Sequence, residues 1–320
     1  MKRTHPWLIL AGLAGLAAAI FLIADHGAAD ILQGVAALGW GLLLVALYRS
    51  ISLVTAAQAW RLLYPADHRH SLARMSLLRW ICESVNSLLP VAQIGGDLVR
   101  AKLAARPNHG AQSGAAVVVD ITLNLVVEIL FVILALALLL GQGDSGYGGP
   151  LAGALLLTSV GVAAFWAIQK RGLFSLLARF VALIGKGAAL DKAIAGANSL
   201  DQAIAALYAK PSDLLAALFW HILSTASRVG EVWLILYLMD RPTTLAAALI
   251  VESLAAMLRT AAFLVPGGLG VQEGALLALG SLVGIAPESA LALALVKRAR
   301  EIGVGLAGLL AWIVARNNRA

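Results

Sequence analysis

The chain has 320 residues, 61% hydrophobic and 13% charged, and its mean hydropathy of +0.88 excludes an ordinary water-soluble enzyme. Its 24 Lys and Arg against 17 Asp and Glu leave a net charge of +7. Most of these cations fall between apolar segments, where they read as topology determinants beside an anionic leaflet and not as a nucleic-acid footprint.

Several apolar stretches reach the roughly 20 residues that cross a hydrocarbon core. They are continuous runs of Leu, Ala and Val, unlike the alternating segments of a barrel. The expected fold is an all-α, polytopic membrane bundle of six to eight spans, a single domain over residues 1–320. The first run, Trp7 to Ala24, follows Lys2 and Arg3, and its 18 residues exceed a usual signal-peptide core. It reads as an uncleaved first helix, the alternative being a signal peptide with small residues near Ala28 and Ala29. Further spans are expected at Ile31 to Ala59, Ser113 to Leu140, Leu151 to Ile168, Ser212 to Leu238 and Pro287 to Ala315. Residues 169–212 form a connection whose Lys186 to Tyr208 stretch, interrupted by Asp191, Lys192, Asn198 and Asp201, suits an amphipathic surface helix.

Two cations precede the first span, none lies in Asp25 to Asp30, seven in Trp60 to Gln112, none in Gly141 to Pro150, six in Gln169 to Pro211 and one at Arg241. This alternation puts both termini and the two long basic connections in the cytoplasm. Six cations, Arg49, Arg228, Arg259, Lys297, Arg298 and Arg300, sit inside apolar segments and need another role. The single cysteine, Cys82, excludes an internal disulfide, a CxxC redox pair and a cysteine-rich metal site.

Two segments carry an apolar run broken by Pro and Gly. In the first, Glu83-Ser84-Val85-Asn86-Ser87-Leu88-Leu89-Pro90 leads to Gly95-Gly96-Asp97-Leu98-Val99-Arg100; in the second, Pro266 leads to Gly267-Gly268-Leu269-Gly270-Val271-Gln272-Glu273. Each proline stands seven residues before a carboxylate, Asp97 or Glu273. Proline stops the helical ladder and glycine permits a turn, so each segment is expected to be a discontinuous helix or re-entrant hairpin. Irregular backbone at membrane depth must line a cavity, where the next half-helix offers free N–H groups to an oxygen-bearing ligand. Such breaks in two corresponding halves point to a transporter site built on inverted repeats. The same cation distribution also fits eight full crossings, and that choice stays open.

Polar residues recur on single helix faces: Asp120, Asn124 and Glu128 in one span, His221, Ser224 or Thr225, Arg228 and Glu231 in another. Lys297 and Glu301 stand as i,i+4 partners beside Arg298 and Arg300, and Glu252 lies two turns from Arg259. Left in lipid each would be costly, so they face protein or water, either as a hydrophilic groove or as ion pairs locking the bundle. No HExxH, GxSxG, P-loop, dinucleotide or kinase motif is present, which gives no sign of a cofactor, a metal centre or nucleotide-driven transport.

The two broken motifs, with Gly274 after the second and Lys297-Arg298 to Arg300-Glu301, resemble those of the hopanoid-biosynthesis-associated membrane proteins. That group is part of the larger flippase-like family, similar to the transmembrane domain of lysylphosphatidylglycerol synthase. The resemblance runs from the second span to the last. It implies a bacterial inner-membrane protein, not an enzyme, that translocates a polar-headed lipid such as a hopanoid or anionic phospholipid. Lipid-biosynthesis enzymes are the other implied partners, and nucleic acid is not one. The aminoacyl-transfer activity of the bifunctional synthases is not expected, since the chain ends five residues past Ala315.

On the physical reading, Gly95, Gly96, Gly267, Gly268 and Gly270 supply close backbone approach, and Asp97 and Glu273 orient hydroxyls. Arg100, Arg259 and Arg298 meet anionic head groups, Asp120, Glu128 and His221 are candidates for proton coupling, and Arg228, Glu231, Lys297 and Glu301 line the groove or pair. The alternatives are an integral-membrane enzyme using Asp97 and Glu273 as an acid/base pair and a scaffold for lipid-biosynthesis enzymes.

Overall fold

The computed structural model describes residues 36, 38–89, 95–107, 109–141, 148–172, 188–262, 265 and 268–317. The expected span Trp7 to Ala24, the loop after it, Pro90, Asp144, Lys186, Pro266 and Gly267 lie outside the described residues. Among the described residues the secondary structure is helical throughout: α1 Gly41–Leu62, α2 Leu72–Leu88, α3 Gly95–Ala104, α4 Gly110–Leu140, α5 Gly148–Lys170, α6 Ala188–Tyr208, α7 Pro211–Leu238, α8 Leu245–Ala261, α9 Val271–Leu282 and α10 Pro287–Asn317. Local chemistry sets several of the starts. The Ser71 hydroxyl accepts from the Arg74 N–H at 3.3 Å and caps α2, Thr244 does the same for α8 through Ala247 at 3.1 Å, and Pro211 opens α7 where a missing N–H costs nothing.

Among the described residues two helices, α1 and α4, are long and apolar enough to cross a membrane on their own composition. Six to eight spans are expected from the sequence; the first lies outside the described residues, and in two others charges lower the hydropathy. Helices α7 and α10 have 28 and 31 residues, or about 42 and 46 Å at the helical rise, but their inward faces carry Arg228, Glu231, Lys297, Arg298, Arg300 and Glu301. Their outward faces remain apolar, as Leu306, Leu310 and Ile313 of α10 show by their exposure. Leu43, Leu44, Leu47 and Ile51 do the same on α1, an apolar outward face such as a helix among lipids presents.

The bundle holds two apolar clusters with a polar layer between them. One gathers Val45, the C-terminal halves of α4 and α7, and the packed faces of α8, α9 and α10. The other gathers the C-terminal half of α1, the N-terminal half of α4, α2, and Ile204 and Ala217. The polar layer crosses α1 at Arg49 and Ser52, α4 at Asp120 to Glu128 and α7 at His221 to Arg228, the middle turns of each helix. Ser52 and Ser224 hydroxyls meet at 3.0 Å and tie α1 to α7, the most extensive helix pair.

Each segment with a Pro/Gly break contributes two helices packed on each other, α2 with α3 and α8 with α9. At Gly96 the backbone of α3 lies so close to α2 that a Cβ would overlap the Cys82 carbonyl and the Asn86 side chain. The expected amphipathic connection is helix α6, which packs on α4 and α5. Tyr208 donates to Gln169 at 2.8 Å and Gln169 donates to Thr122 at 3.1 Å, fastening α5 and α6 to the middle of α4.

Candidate functional site: a buried ion-pair chain around a polar cavity

Asp120, on α4 and with no exposed surface, collects three donors. Arg100 Nη1 donates to its Oδ2 at 2.7 Å, Arg79 Nη1 to the same oxygen at 2.9 Å, and His221 Nε2 to Oδ1 at 3.0 Å. Because the carboxylate accepts, Nε2 carries the proton; the other ring nitrogen, Nδ1, is buried without a hydrogen-bond partner. Arg100 is also bound to Asp97 at 2.8 Å and lies over the Trp60 ring, 4.8 Å from its centroid. Asp97 accepts from Asn86 at 3.3 Å, and Asn86 accepts from the Gly96 N–H at 2.7 Å. The expected helix-terminal N–H of Gly96 is therefore taken by an α2 side chain.

From Asp120 a chain of ion pairs runs across the bundle. Arg79 reaches Glu83 at 3.9 Å, Glu83 holds Arg49 at 2.9 Å, and Arg49 approaches Glu231 at 3.7 Å. Glu231 pairs with Arg300 at 2.9 Å, and Arg300 approaches Glu301 at 4.0 Å. Glu301 binds Arg298 at 3.1 Å, and Arg298 binds Glu273 at 2.9 Å. Asp97 and Glu273, the carboxylates of the two broken motifs, are thus the two ends of one alternating series. Glu273 Oε2 also accepts from the Gly270 N–H at 2.8 Å, capping α9; Gly270 stands at φ +76, a conformation that favours glycine.

A side branch joins Arg228 to Glu128 at 3.2 Å and to Glu252 at 3.9 Å. Lys297 pairs with Glu252 on α8, which corrects the expected i,i+4 pair with Glu301. One turn along α10, Glu301 instead serves arginines of α8 and α10. The stripe on α7 does face inward, each member bonded to a neighbouring helix: His221 and Arg228 to α4, Ser224 to α1, Glu231 to α1 and α10.

Beside the middle of the chain lies a partly open cavity of about 180 Å³, lined by Arg49, Trp80, Glu83, Ser84, Asn86, Ser87, Arg228, Arg259, Arg300, Glu301, Val304 and Gly305. That is more than ten times the volume one water molecule needs. Of the residues expected from sequence to bind substrate, Arg259 lines it. Asp97, Arg100, Glu273 and Arg298 do not; their charges are spent on one another and on Asp120. Gly268, at φ +60, makes its close approach to the Arg259 stem and not to the cavity, a Cβ there standing 3.1 Å from Cγ.

Arg79 was not singled out by sequence, and Arg49 and Glu83 were noted there without a site role. Arg79 stands in the basic connection and reads as a topology charge, yet with Glu83 and Asn86 it recurs at spacings of four and three, which places them on one face of α2. That face meets α1, α3 and α10. With Arg79 and Arg100 enclosed, five of the seven cations of that connection remain to set topology.

Beyond the end of α1, Tyr64 bonds the Ser113 hydroxyl at 3.0 Å, and burial, the largest cause, pushes its phenol up to about 12. Ser113 in turn donates to the Ala101 carbonyl at 2.7 Å, anchoring the C-terminal end of α3.

No curated protein and no solved structure matches the chain. A family model described as the lysylphosphatidylglycerol synthase TM region matches residues 8–308, nearly the whole length, and the chain belongs to that membrane family.

Proposed function

We propose that the protein moves a polar-headed lipid, a hopanoid or an anionic phospholipid, across or out of a bacterial inner membrane, without chemical change to the lipid. The observation that carries this reading is the placement of the cavity. It opens among arginines and glutamates at the middle of α1, α7 and α10, between two apolar clusters, where a polar head group could be sheltered while its tail stays outside.

In this reading α2 with α3 and α8 with α9 are the two re-entrant elements of an inverted repeat. Each has a glycine-containing break and a first-turn carboxylate held by an arginine: Asp97 by Arg100, Glu273 by Arg298. The elements rock against each other through the ion-pair chain, and Asp120, Glu128 and His221 are the groups through which protons would couple. Both termini face the cytoplasm. The engagement of Asp97 and Glu273 in ion pairs at opposite ends of the chain favours transport over their use as an acid/base pair.

The test is reconstitution into vesicles containing a fluorophore-labelled lipid, with a membrane-impermeant reductant reporting exposure in the outer leaflet. Faster loss of the protected fraction than in protein-free vesicles is expected; an equal rate overturns the reading. A deletion strain separates the alternatives: transport predicts unchanged lipid species in a changed distribution, an enzyme predicts a changed species, and a scaffold predicts neither.

A further inference from the structure

Within the transport reading, on which it rests, the cavity also has a charge preference. Its lining carries four arginines against two glutamates. Three of the arginines have two carboxylates each: Arg49 has Glu83 and Glu231, Arg228 has Glu128 and Glu252, and Arg300 has Glu231 and Glu301. Among the described residues Arg259 has one ion pair, at 3.5 Å, with a Glu301 carboxylate that Arg298 and Arg300 share. Its side chain is also the most exposed of the four, at 32% against 6–12% for the others.

The neutral donors of the cavity are already committed. Ser84 donates to the Trp80 carbonyl at 2.8 Å, Ser87 to the Ser84 carbonyl at 3.4 Å, Asn86 to Asp97, and the Trp80 indole to the Val304 carbonyl at 2.8 Å. What remains for a ligand is charged, four guanidinium groups against two carboxylates. An oxyanion would find guanidinium N–H groups, those of Arg259 on the most exposed of the four side chains. The Arg259 stem passes close to the glycine turn, where a Cβ on Gly268 would stand 3.1 Å from Cγ.

We infer that Arg259 is the receiving residue of an anion subsite that takes a phosphate-type oxyanion, on a lipid head group or free. The incoming oxyanion takes the place of Glu301 as partner of Arg259. Glu301 keeps Arg298 and Arg300, so the ion-pair chain stays closed while the ligand is held. A guanidinium–oxyanion pair of this kind has both charge and directed hydrogen bonds, and the displaced carboxylate competes with the ligand.

The experiment measures binding by the purified full-length chain in detergent, using dihexanoylphosphatidylglycerol, dihexanoylphosphatidylcholine and inorganic phosphate as probes. The anionic lipid should bind more tightly than the zwitterionic one. Arg259→Gln should weaken it by about tenfold or more, the scale of one lost charge-assisted hydrogen bond. Arg259→Lys should restore part of the affinity, and Glu301→Gln should leave it equal or tighter, since a competing acceptor is gone.

A merely structural Arg259–Glu301 pair predicts the opposite for Glu301→Gln, a loss matching that of Arg259→Gln, and that result overturns the inference. So does equal binding of the two lipids with no dependence on Arg259. Phosphate binding with the same dependence supports the subsite and identifies a free anion as a ligand; binding of the lipid alone supports it with the head group as the source. If Arg259→Gln does not fold, Arg259→Lys and Glu301→Gln carry the decision: equal or tighter binding in Glu301→Gln supports the subsite, and a loss overturns it. Arg259-dependent binding without vesicle translocation keeps the subsite and removes the transport reading; translocation with no Arg259-dependent binding does the reverse.

Discussion

Arg100 and Asp120 meet at 2.7 Å with 1% and 0% of their side chains exposed. One comes from a short helix after a glycine-rich break, the other from a helix long and apolar enough to cross a membrane. Their pairing locks α3 against α4, and with Arg79 and His221 it joins four helices at a single carboxylate. The energetic weight of such a site lies in the penalty for opening it, since a buried charge stripped of its partner stays desolvated.

Asp120→Asn should therefore destabilise the folded protein by about 3–5 kcal/mol, the cost of breaking a buried pair from one side. Asp97→Asn should cost less, about 1–2 kcal/mol, because Arg100 keeps Asp120 and Asp97 is 17% exposed. Thermal unfolding of the purified variants in one detergent checks the order. Equal melting temperatures for the two would mean that Asp120 is not the centre of the network.

Glycines of α10 offer a comparison within one helix. A Cβ on Gly308 would overlap the Ser84 hydroxyl and press on the Trp80 indole, whereas one on Gly303 meets nothing within 4 Å. Gly303→Ala should raise stability by roughly 0.5–1 kcal/mol through helix propensity, and Gly308→Ala should lower it by about 1–3 kcal/mol through overpacking of the α2–α10 contact. The melting temperatures should move in opposite directions.

Glu273 has two tasks that substitution can separate. Glu273→Gln keeps an acceptor for the Gly270 N–H while losing the charge opposite Arg298, and Glu273→Ala loses both. The Ala variant should be less stable than the Gln variant by about 1 kcal/mol, the worth of a cap. Gly268→Ala acts elsewhere, at a φ of +60 beside the Arg259 stem, and should weaken lipid binding as an Arg259 variant does while the Glu273 cap remains. Unchanged lipid binding in Gly268→Ala would show that the glycine turn does not position Arg259.

The helices could be read from the chain because hydrophobic runs and breakers are local signals, and the boundaries at Leu140, Leu238 and Pro287 coincide with the spans expected. The inward faces of α4 and α7 were legible for the same reason, since a spacing of three or four places residues on one face. Partner identity was not. Lys297 looks like a partner for Glu301 one turn away, yet α8 brings Glu252 to it; only the packing of separate helices determines that. The cavity was legible in kind, polar and near the breaks. Its lining was not, because Arg49, Glu83 and Arg300 reach it from three helices far apart in sequence.

The orientation of the chain can be tested with its own single cysteine left in place. Cys82 is 3% exposed and should stay silent toward a bulky, membrane-impermeant maleimide, so an added cysteine reports alone. The segment 141–150 carries no Lys or Arg, whereas 169–211 carries six and 60–112 keeps five outside the ion-pair chain. Cations resist translocation, so Asp144→Cys should react in intact cells, and Ser199→Cys, exposed on α6, should react only after permeabilisation. The reverse pattern would turn the bundle over. Labelling of both from one side would remove the crossing expected at Leu151 to Ile168 and, with it, the opposite entry of the two broken elements that an inverted repeat requires.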